Sequence, residues 1–408
     1  MAKRALLLYS GGLDTSVMLK MLQEKLGMDV LTLTLDIGQE ENDLKAISGK
    51  AWDLGATDVI TEDVKKKFAA EYISREIKSD GLYGGIYPLS TSIARPLMSL
   101  EAVRFAEEYD CDLIVHGCTG KGNDQVRFEV SIKALNDDIE VIAPVRDWGL
   151  NRDQEVEFAL ANNIPVKQGG KYSTDENLWG RSVEGSDLEN PAFPVPDDAY
   201  SWVVPPHLVR EVKAEVQIGF SQGLPVTLNN EDLDIRHIVS RLNSISGQRG
   251  IGGIDYLEDR VTGIKSREFY ECPAAVVLLA AHKALERITL NKEEMDIKKA
   301  MDAKWGDLVY NGLWFDPVMT HINAFEESVN EPITGEVRLI LDKGLCSVAG
   351  IESQNSLYNF ETSTYGKQDT FDQSMAKGFI SIFGNQTVNT ARVRNKKLER
   401  ILSSKNQT

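Results

Sequence analysis

The sequence predicts an α/β fold in which a parallel doubly wound domain leads into an α+β domain. Two observations carry that expectation. Short β-rich runs alternate with helical patterns through the first third, the pattern of a parallel sheet covered on both faces. Near Ile164–Thr174 the alternation stops, and Gly, Pro and polar residues take over.

In order, the predicted strands are Ala5–Tyr9, Val30–Leu35, Asp58–Thr61, Leu113–His116 and Val141–Pro144. Helical periodicity falls between them, at about Ser16–Leu26, Asn42–Leu54, Val64–Lys78, Ile93–Tyr109 and Gln125–Leu135. Ligands of such sheets bind beyond the carboxyl ends of the strands, so Ser10–Ser16, Asp36–Gln39 and Gly117–Asp124 matter most. The run ENPAFPVPDDAYSWVVPP (Glu189–Pro206) carries five prolines and reads as irregular chain. After it, AEVQIGFSQGLPVTLN reads as a hairpin turning at Gln-Gly-Leu-Pro, then come a helix near Leu233–Ser246 and a Gly-rich loop, GQRGIGGIDYLEDR. An apolar helix, Pro273–Thr289, and a second hairpin, GEVRLILDKGLCSVAGI, follow. Domains are expected at 1–165, 166–370 and 371–408. The basic, polar tail Arg392–Lys405 reads equally as an exposed helix or as an arm on another subunit.

The chain of 408 residues has a formal net charge of −17. Such a field repels polyanions and disfavours nucleic-acid binding, while leaving a local anion site at a helix end open. The longest apolar runs, such as Ala274–Ala281, are too short to span a bilayer. No signal peptide is recognisable, and a cytoplasmic protein is expected. The four cysteines lie far apart with no CxxC pair, which argues against a zinc site or a disulfide framework.

The stretch Ser10-Gly-Gly-Leu-Asp-Thr-Ser16 carries the main chemical signal. Glycines after a buried strand allow a tight turn and bring backbone N–H groups close to a ligand. The next helix aims its N-terminus at the same point, and Ser10, Thr15 and Ser16 add hydroxyl donors. The plain alternative is a capped strand-to-helix turn. A Walker A loop is excluded because its lysine is missing. The pattern SGGxDTS resembles the pyrophosphate loop of the N-type ATP pyrophosphatases, which split ATP into AMP and pyrophosphate. A second signal, His116-Gly-Cys-Thr-Gly-Lys-Gly-Asn-Asp-Gln-Val-Arg-Phe128, puts both signs of charge on a flexible strand-end loop, as a zwitterionic ligand beside a phosphate requires. His116 itself reads better as a core histidine. YGGIYPLSTSIARP (Tyr83–Pro96) and YSTDENLWGRS (Tyr172–Ser182) add polar groups, though each alone is more often a capped turn.

Together, SGGLDTS, DIGQ, STSIARP, HGCTGKGNDQVRFE, STDENLWGRS and GIKSREFYECPAA resemble the argininosuccinate synthase family, in order and over nearly the whole chain. The resemblance implies an adenine nucleotide alpha hydrolase-like domain, a synthetase domain and an oligomerisation segment. It also implies condensation of citrulline with aspartate, driven by ATP going to AMP and pyrophosphate with Mg²⁺, in a homotetramer. Carried over by motif, Leu8, Tyr9, Ser10, Gly11, Gly12, Leu13, Asp14, Thr15, Ser16, Leu35 and Gly117 would hold ATP. Tyr87, Ser92, Asn123, Arg127, Ser173, Ser182, Glu258 and Tyr270 would hold citrulline. Thr119, Asn123 and Asp124 would hold aspartate. Asp14, Arg95 and Asp124 are the candidates for catalytic roles. No metal ligand is assigned, and Mg²⁺ is expected on the ATP phosphates. Cys118 and Cys272 stand close enough to these loops that thiol modification is expected to inhibit. The alternatives are another adenylating ligase with a pyrophosphate loop, or a non-catalytic nucleotide-binding protein. The charge and the lack of paired cysteines speak against a tRNA-thiolating enzyme.

Overall fold

The computed structural model describes residues 2–39, 41–150, 152–165, 171–210 and 212–394. Contacts divide the chain into two units, Met1–Asn355 and Ser356–Thr408. The predicted boundary at 165/166 abuts residues outside the described set, as does most of the tail Arg392–Lys405.

A five-stranded parallel sheet in the order β3-β2-β1-β4-β5 opens the first unit. Its strands are β1 (Arg4–Leu8), β2 (Asp29–Asp36), β3 (Asp58–Asp63), β4 (Leu113–Val115) and β5 (Glu140–Ile142). Period-two alternation sends Leu6 and Leu8 into one core layer and Ala5, Leu7 and Tyr9 into the other. Helix α1 (Leu13–Leu26) covers the second face with Val17, Met18, Leu19 and Leu22. Helices α2 (Glu41–Asp53), α3 (Ala94–Glu108) and α4 (Asp124–Leu135) complete the wrapping. The chain moves outward from β1 through β2 to β3, then returns to the other side of β1 at β4. That reversal opens a crevice beyond the carboxyl ends of β1 and β4, where both glycine-rich loops lie.

The rest of the unit is antiparallel sheet and helix. One sheet has the order β11-β12-β7-β6, built from β6 (Ser173–Asn177), β7 (Gly180–Glu184), β11 (Gly253–Asp259) and β12 (Lys265–Glu271). The other, β10-β9-β8-β13-β14 with β10 at Glu231–Asp232, holds the two predicted hairpins. They are β8 (Ala214–Ser221) with β9 (Leu224–Leu228), and β13 (Gly335–Asp342) with β14 (Leu345–Glu352). The first turns at Gln222–Gly223, so Leu224 and Pro225 belong to the strand rather than to the expected turn. Strand β11 corrects the reading of GQRGIGGIDYLEDR as loop throughout. Its charged residues fall on both faces of this edge strand, Asp255 and Asp259 on one and Glu258 on the other, instead of marking a turn.

The β6–β7 hairpin is tied to the parallel sheet at its tip. Leu178 N donates to the Ile37 carbonyl at 2.8 Å, just past β2. Gly38 (φ +113°) permits this approach, since a Cβ there would lie 2.7 Å from Leu178 N. Trp179 is fully buried and its indole N–H donates to Glu76 Oε1 at 2.8 Å. Burial drives the Glu76 carboxyl well above the usual carboxylate range.

A buried charge cluster joins helices α5 (Pro273–Thr289), α6 (Lys292–Tyr310) and α7 (Pro317–Val329). Asp80, His282 and Glu286 come together as cation ligands do, but the Lys298 ammonium already serves Glu286 and the His282 ring faces Asp80. Lys298 Nζ lies 3.0 Å from Glu286 and 3.1 Å from Glu326, and donates to Asp302 at 2.7 Å. His282 Nδ1 faces Asp80 at 3.1 Å, and Nε2 faces Asn330 Oδ1 at 2.8 Å. The Asn330 amide nitrogen is committed to the Lys78 and Glu326 carbonyls, so its oxygen must accept. Both ring nitrogens therefore donate, and His282 is an imidazolium. Burial opposes that charge, but the Asp80 carboxylate outweighs it and raises the His282 pKa above its ordinary value. The stabilisation is complete below the unfolded pKa of about 6.5 and is lost as pH rises through the raised folded pKa. Urea unfolding between pH 6 and 9 should show stability falling, with a shallower slope in His282→Gln. Equal slopes would refute the imidazolium.

In the second unit, α8 (Ala376–Phe383) has no buried residue. Phe379, Ile380, Ile382 and Phe383 are all exposed.

Candidate active site

Beyond β1 the chain turns sharply at Gly11 (φ +74°), and Gly12 starts α1 in extended geometry. No side chain caps the helix, so its first N–H groups keep their donor capacity toward the crevice. Lys50 Nζ holds the Gly11 carbonyl at 2.9 Å. Ser16 Oγ donates to the Gly12 carbonyl at 2.6 Å and accepts from the Tyr9 hydroxyl at 3.1 Å. Ser10 and Thr15 share a hydroxyl contact at 3.3 Å on the open side. The turn is an anion seat braced from below.

This seat forms one end of a cleft of about 810 Å³. A buried set of ions forms its middle. Asp124 at the start of α4 accepts from Arg95 Nη2 at 2.7 Å and from Arg127 Nη1 at 2.9 Å. Burial alone would raise the Asp124 pKa, but the two guanidiniums hold it well below the usual carboxylate range. Arg95 also pairs with Asp175 and lies over the Phe128 ring. Arg127 Nε donates to the Tyr310 carbonyl at 2.9 Å. Asn123 Nδ2 donates to the Tyr310 hydroxyl at 2.9 Å.

One face of the β11-β12-β7-β6 sheet closes the far end. The register puts Glu258, Glu268, Tyr270, Ser182, Glu184, Ser173 and Asp175 on it, because alternate residues of each strand share a face. Tyr270 stacks on Tyr87 at 3.7 Å and donates to Glu258 Oε2 at 2.7 Å. Burial pushes the Tyr87 phenol up to about 12. Burial and the Glu184 charge push Glu268 up to about 9. Anion seat, ion pairs and polar sheet face thus form one continuous surface, able to hold a phosphate chain beside two amino acids.

Comparison with known proteins agrees with this arrangement. Residues 4–165 match the family model described as the Arginosuccinate synthase N-terminal HUP domain, and 172–390 match the Arginosuccinate synthase C-terminal domain. The chain belongs to the argininosuccinate synthase family. The Picrophilus torridus argininosuccinate synthase is 56% identical, covering 96% of this chain and 98% of the relative. That of Thermoplasma volcanium is 52% identical over 98% and 100% respectively. That of Methanocaldococcus jannaschii is 44% identical over 95% and 98%.

Most residues singled out by the family resemblance line the cleft. Leu8, Tyr9, Ser10, Gly12, Leu13, Asp14, Thr15, Leu35 and Gly117 surround the anion seat. Gly11 and Ser16 lie behind it and shape the turn instead of facing the opening. Tyr87, Thr119, Asn123, Asp124, Arg127, Ser173, Ser182, Glu258, Tyr270 and Arg95 line the remainder. Ser92 is fully buried and its neighbour Thr91 faces the cleft, because the chain turns through Leu89 (φ +38°) just before it. His116 is buried, close to Phe128 and 3.3 Å from Glu129, and it also lines the cleft, so it is not solely a core residue. Cys272 is buried with its thiol pushed up to about 12, which argues against ready modification there. Asp175, Glu184, Arg260 and Glu268 also line the cleft. The residues alone gave no sign of them beyond lying in or near motifs.

Proposed function

We propose that this cleft is where the chain, an ATP-dependent carbon–nitrogen ligase of its family, joins citrulline to aspartate to give argininosuccinate, AMP and pyrophosphate. The observation that carries the reading is the anion seat at the sheet's switch point, opening into the same cleft as the Asp124 ion set and the polar sheet face.

The reaction asks for positioning and charge stabilisation rather than a covalent nucleophile. The ureido oxygen of citrulline attacks the α-phosphorus of ATP and expels pyrophosphate. The aspartate amine then attacks the activated ureido carbon, loses a proton, and the oxygen departs with AMP. In this reading the turn at Ser10–Thr15 holds the phosphates, with Gly11 and Ser16 bracing it. Leu35 and Gly117 lie along the adenosine. Tyr87, Arg127, Ser173, Ser182, Glu258 and Tyr270 hold citrulline, and Ser92 supports the Thr91 turn. Thr119, Asn123 and Asp124 hold aspartate, Thr119 and Asn123 donating to a carboxylate and Asp124 accepting from the ammonium. Arg95 acts by holding Asp124. Mg²⁺ favours oxygen ligands and phosphates and would be held through the ATP phosphates, with Asp14, in the first turn of α1, lining the cleft at that end.

We also keep the division into a nucleotide domain (1–165), a synthetase domain (166–370) and an oligomerisation segment (371–408). The exposed apolar side chains of α8 support a homotetramer in which this segment packs on another subunit. No helix among the described residues is long and apolar enough to cross a membrane, which is compatible with a cytoplasmic location. The test is pyrophosphate release from ATP with citrulline and aspartate together and with each omitted. Release should require citrulline; release indifferent to it would overturn the reading.

A further inference from the structure

The glycine-rich loop 117–123 follows a three-residue strand and contains Gly117, Gly120 and Gly122, so its own chain does little to hold it in place. The turn between β11 and β12 grips it from outside. Thr262 Oγ1 donates to the Lys121 carbonyl at 3.1 Å, and Arg260 Nη1 reaches the same oxygen at 3.4 Å. Val261 N donates to Asn123 Oδ1 at 2.8 Å. Arg260 is itself anchored, its other nitrogen lying between the Glu184 and Glu268 carboxylates on the sheet face, 2.6 Å from the latter. The grip therefore runs from the polar sheet face, through a guanidinium fork, to the backbone that carries Thr119, Asn123 and Asp124. Tyr310 adds a brace by donating to the Asp259 carbonyl at 3.1 Å while accepting from Asn123.

We propose that Arg260, with Thr262, is a positioning residue for the second half of the reaction, fixing the loop that presents aspartate to the activated citrulline. This rests on the reading of the cleft given above. Neither side chain is assigned to a reacting atom. Arg260 lines the cleft, and both side chains hold the loop through the Lys121 carbonyl. Loosening the grip should let the loop sample other conformations and weaken aspartate capture. The phosphate seat, on a different loop, should be left intact.

The test separates the two half-reactions in Arg260→Gln and Thr262→Val. Citrulline-dependent exchange of labelled pyrophosphate into ATP reports the first. Aspartate-dependent AMP formation reports the whole. Expected is a KM for aspartate raised at least tenfold in Arg260→Gln and about threefold in Thr262→Val, with exchange within twofold of the parent in Thr262→Val, whose side chain lies outside the cleft lining. Thr262→Val removes one hydroxyl and keeps the fold, so the measurement stands even if Arg260→Gln misfolds. A parallel loss of exchange and net ligation in Thr262→Val, or no change in either variant, overturns the proposal. Absence of citrulline-dependent exchange in the parent would instead overturn the reading of the cleft, and the positioning role with it.

Discussion

Asp124→Ala is expected to lower net ligation by at least a thousandfold while lowering citrulline-dependent pyrophosphate exchange about tenfold. The asymmetry follows from the place of Asp124 among its neighbours. Its carboxylate is the proposed acceptor for the aspartate ammonium, so the second half-reaction loses a direct contact. The first half-reaction suffers indirectly. Removing the carboxylate leaves Arg127 without its ion pair and leaves Arg95 with Asp175 as its remaining acidic partner among the described residues. Breaking a fully buried pair typically costs 3–5 kcal/mol. Asp124 keeps 27% of its side chain exposed, so a stability loss of about 2 kcal/mol is expected. Asp124→Asn keeps the shape and one acceptor oxygen, and should recover part of the exchange but little of the net reaction. Both rates, with a thermal melt as control, decide the matter. Equal loss in the two rates would remove Asp124 from the aspartate site.

Gly11→Ala should behave in the opposite manner, with both half-reactions falling together by a hundredfold or more and the KM for ATP rising. Gly11 sits at φ +74°, and a Cβ there would lie 2.7 Å from Ile47 Cγ1 on α2. The left-handed conformation alone costs a residue with a Cβ about 1–2 kcal/mol. Relief requires the turn to move, and moving it redirects the N–H groups that form the anion seat. Ile47→Ala in the same chain should relieve the clash and return part of the activity, without removing the dihedral strain. Initial rates at varied ATP, for single and double variants, check this. A Gly11→Ala protein with unaltered ATP dependence would show that the seat does not bind phosphate.

The alternating core and the anion seat were readable because both depend on local pattern. Strands β1 to β5 fall within a few residues of their expected places, and Pro273–Thr289 matches in full. Strands β6, β7 and β11 were harder. One of their faces looks into a polar cleft, so Asp175, Glu184 and Glu258 occupy positions where apolar alternation would normally appear. The pairings that organise the cleft were not readable from residue types alone. Arg95 and Asp175 are 80 residues apart, and Arg260 and Glu184 are 76 apart. Only tertiary register decides which carboxylate meets which guanidinium. Ser92 and Thr91 show the same limit at one-residue scale, since residue types alone do not say which of two adjacent hydroxyls faces the cleft.

The tie between the β6–β7 tip and the end of β2 constrains how this protein can be recombined with its relatives. A crossover near residue 165 would look natural, because the two family models meet there. Yet the Leu178 amide is bonded to the Ile37 carbonyl, and Gly38 has no room for a Cβ beside it. Trp179 is likewise bonded to Glu76. Donor segments must therefore be matched at five positions on the two sides of the junction. A chimera that keeps both glycine-rich loops but brings alanine to position 38 would assemble with its two ancestral halves out of register.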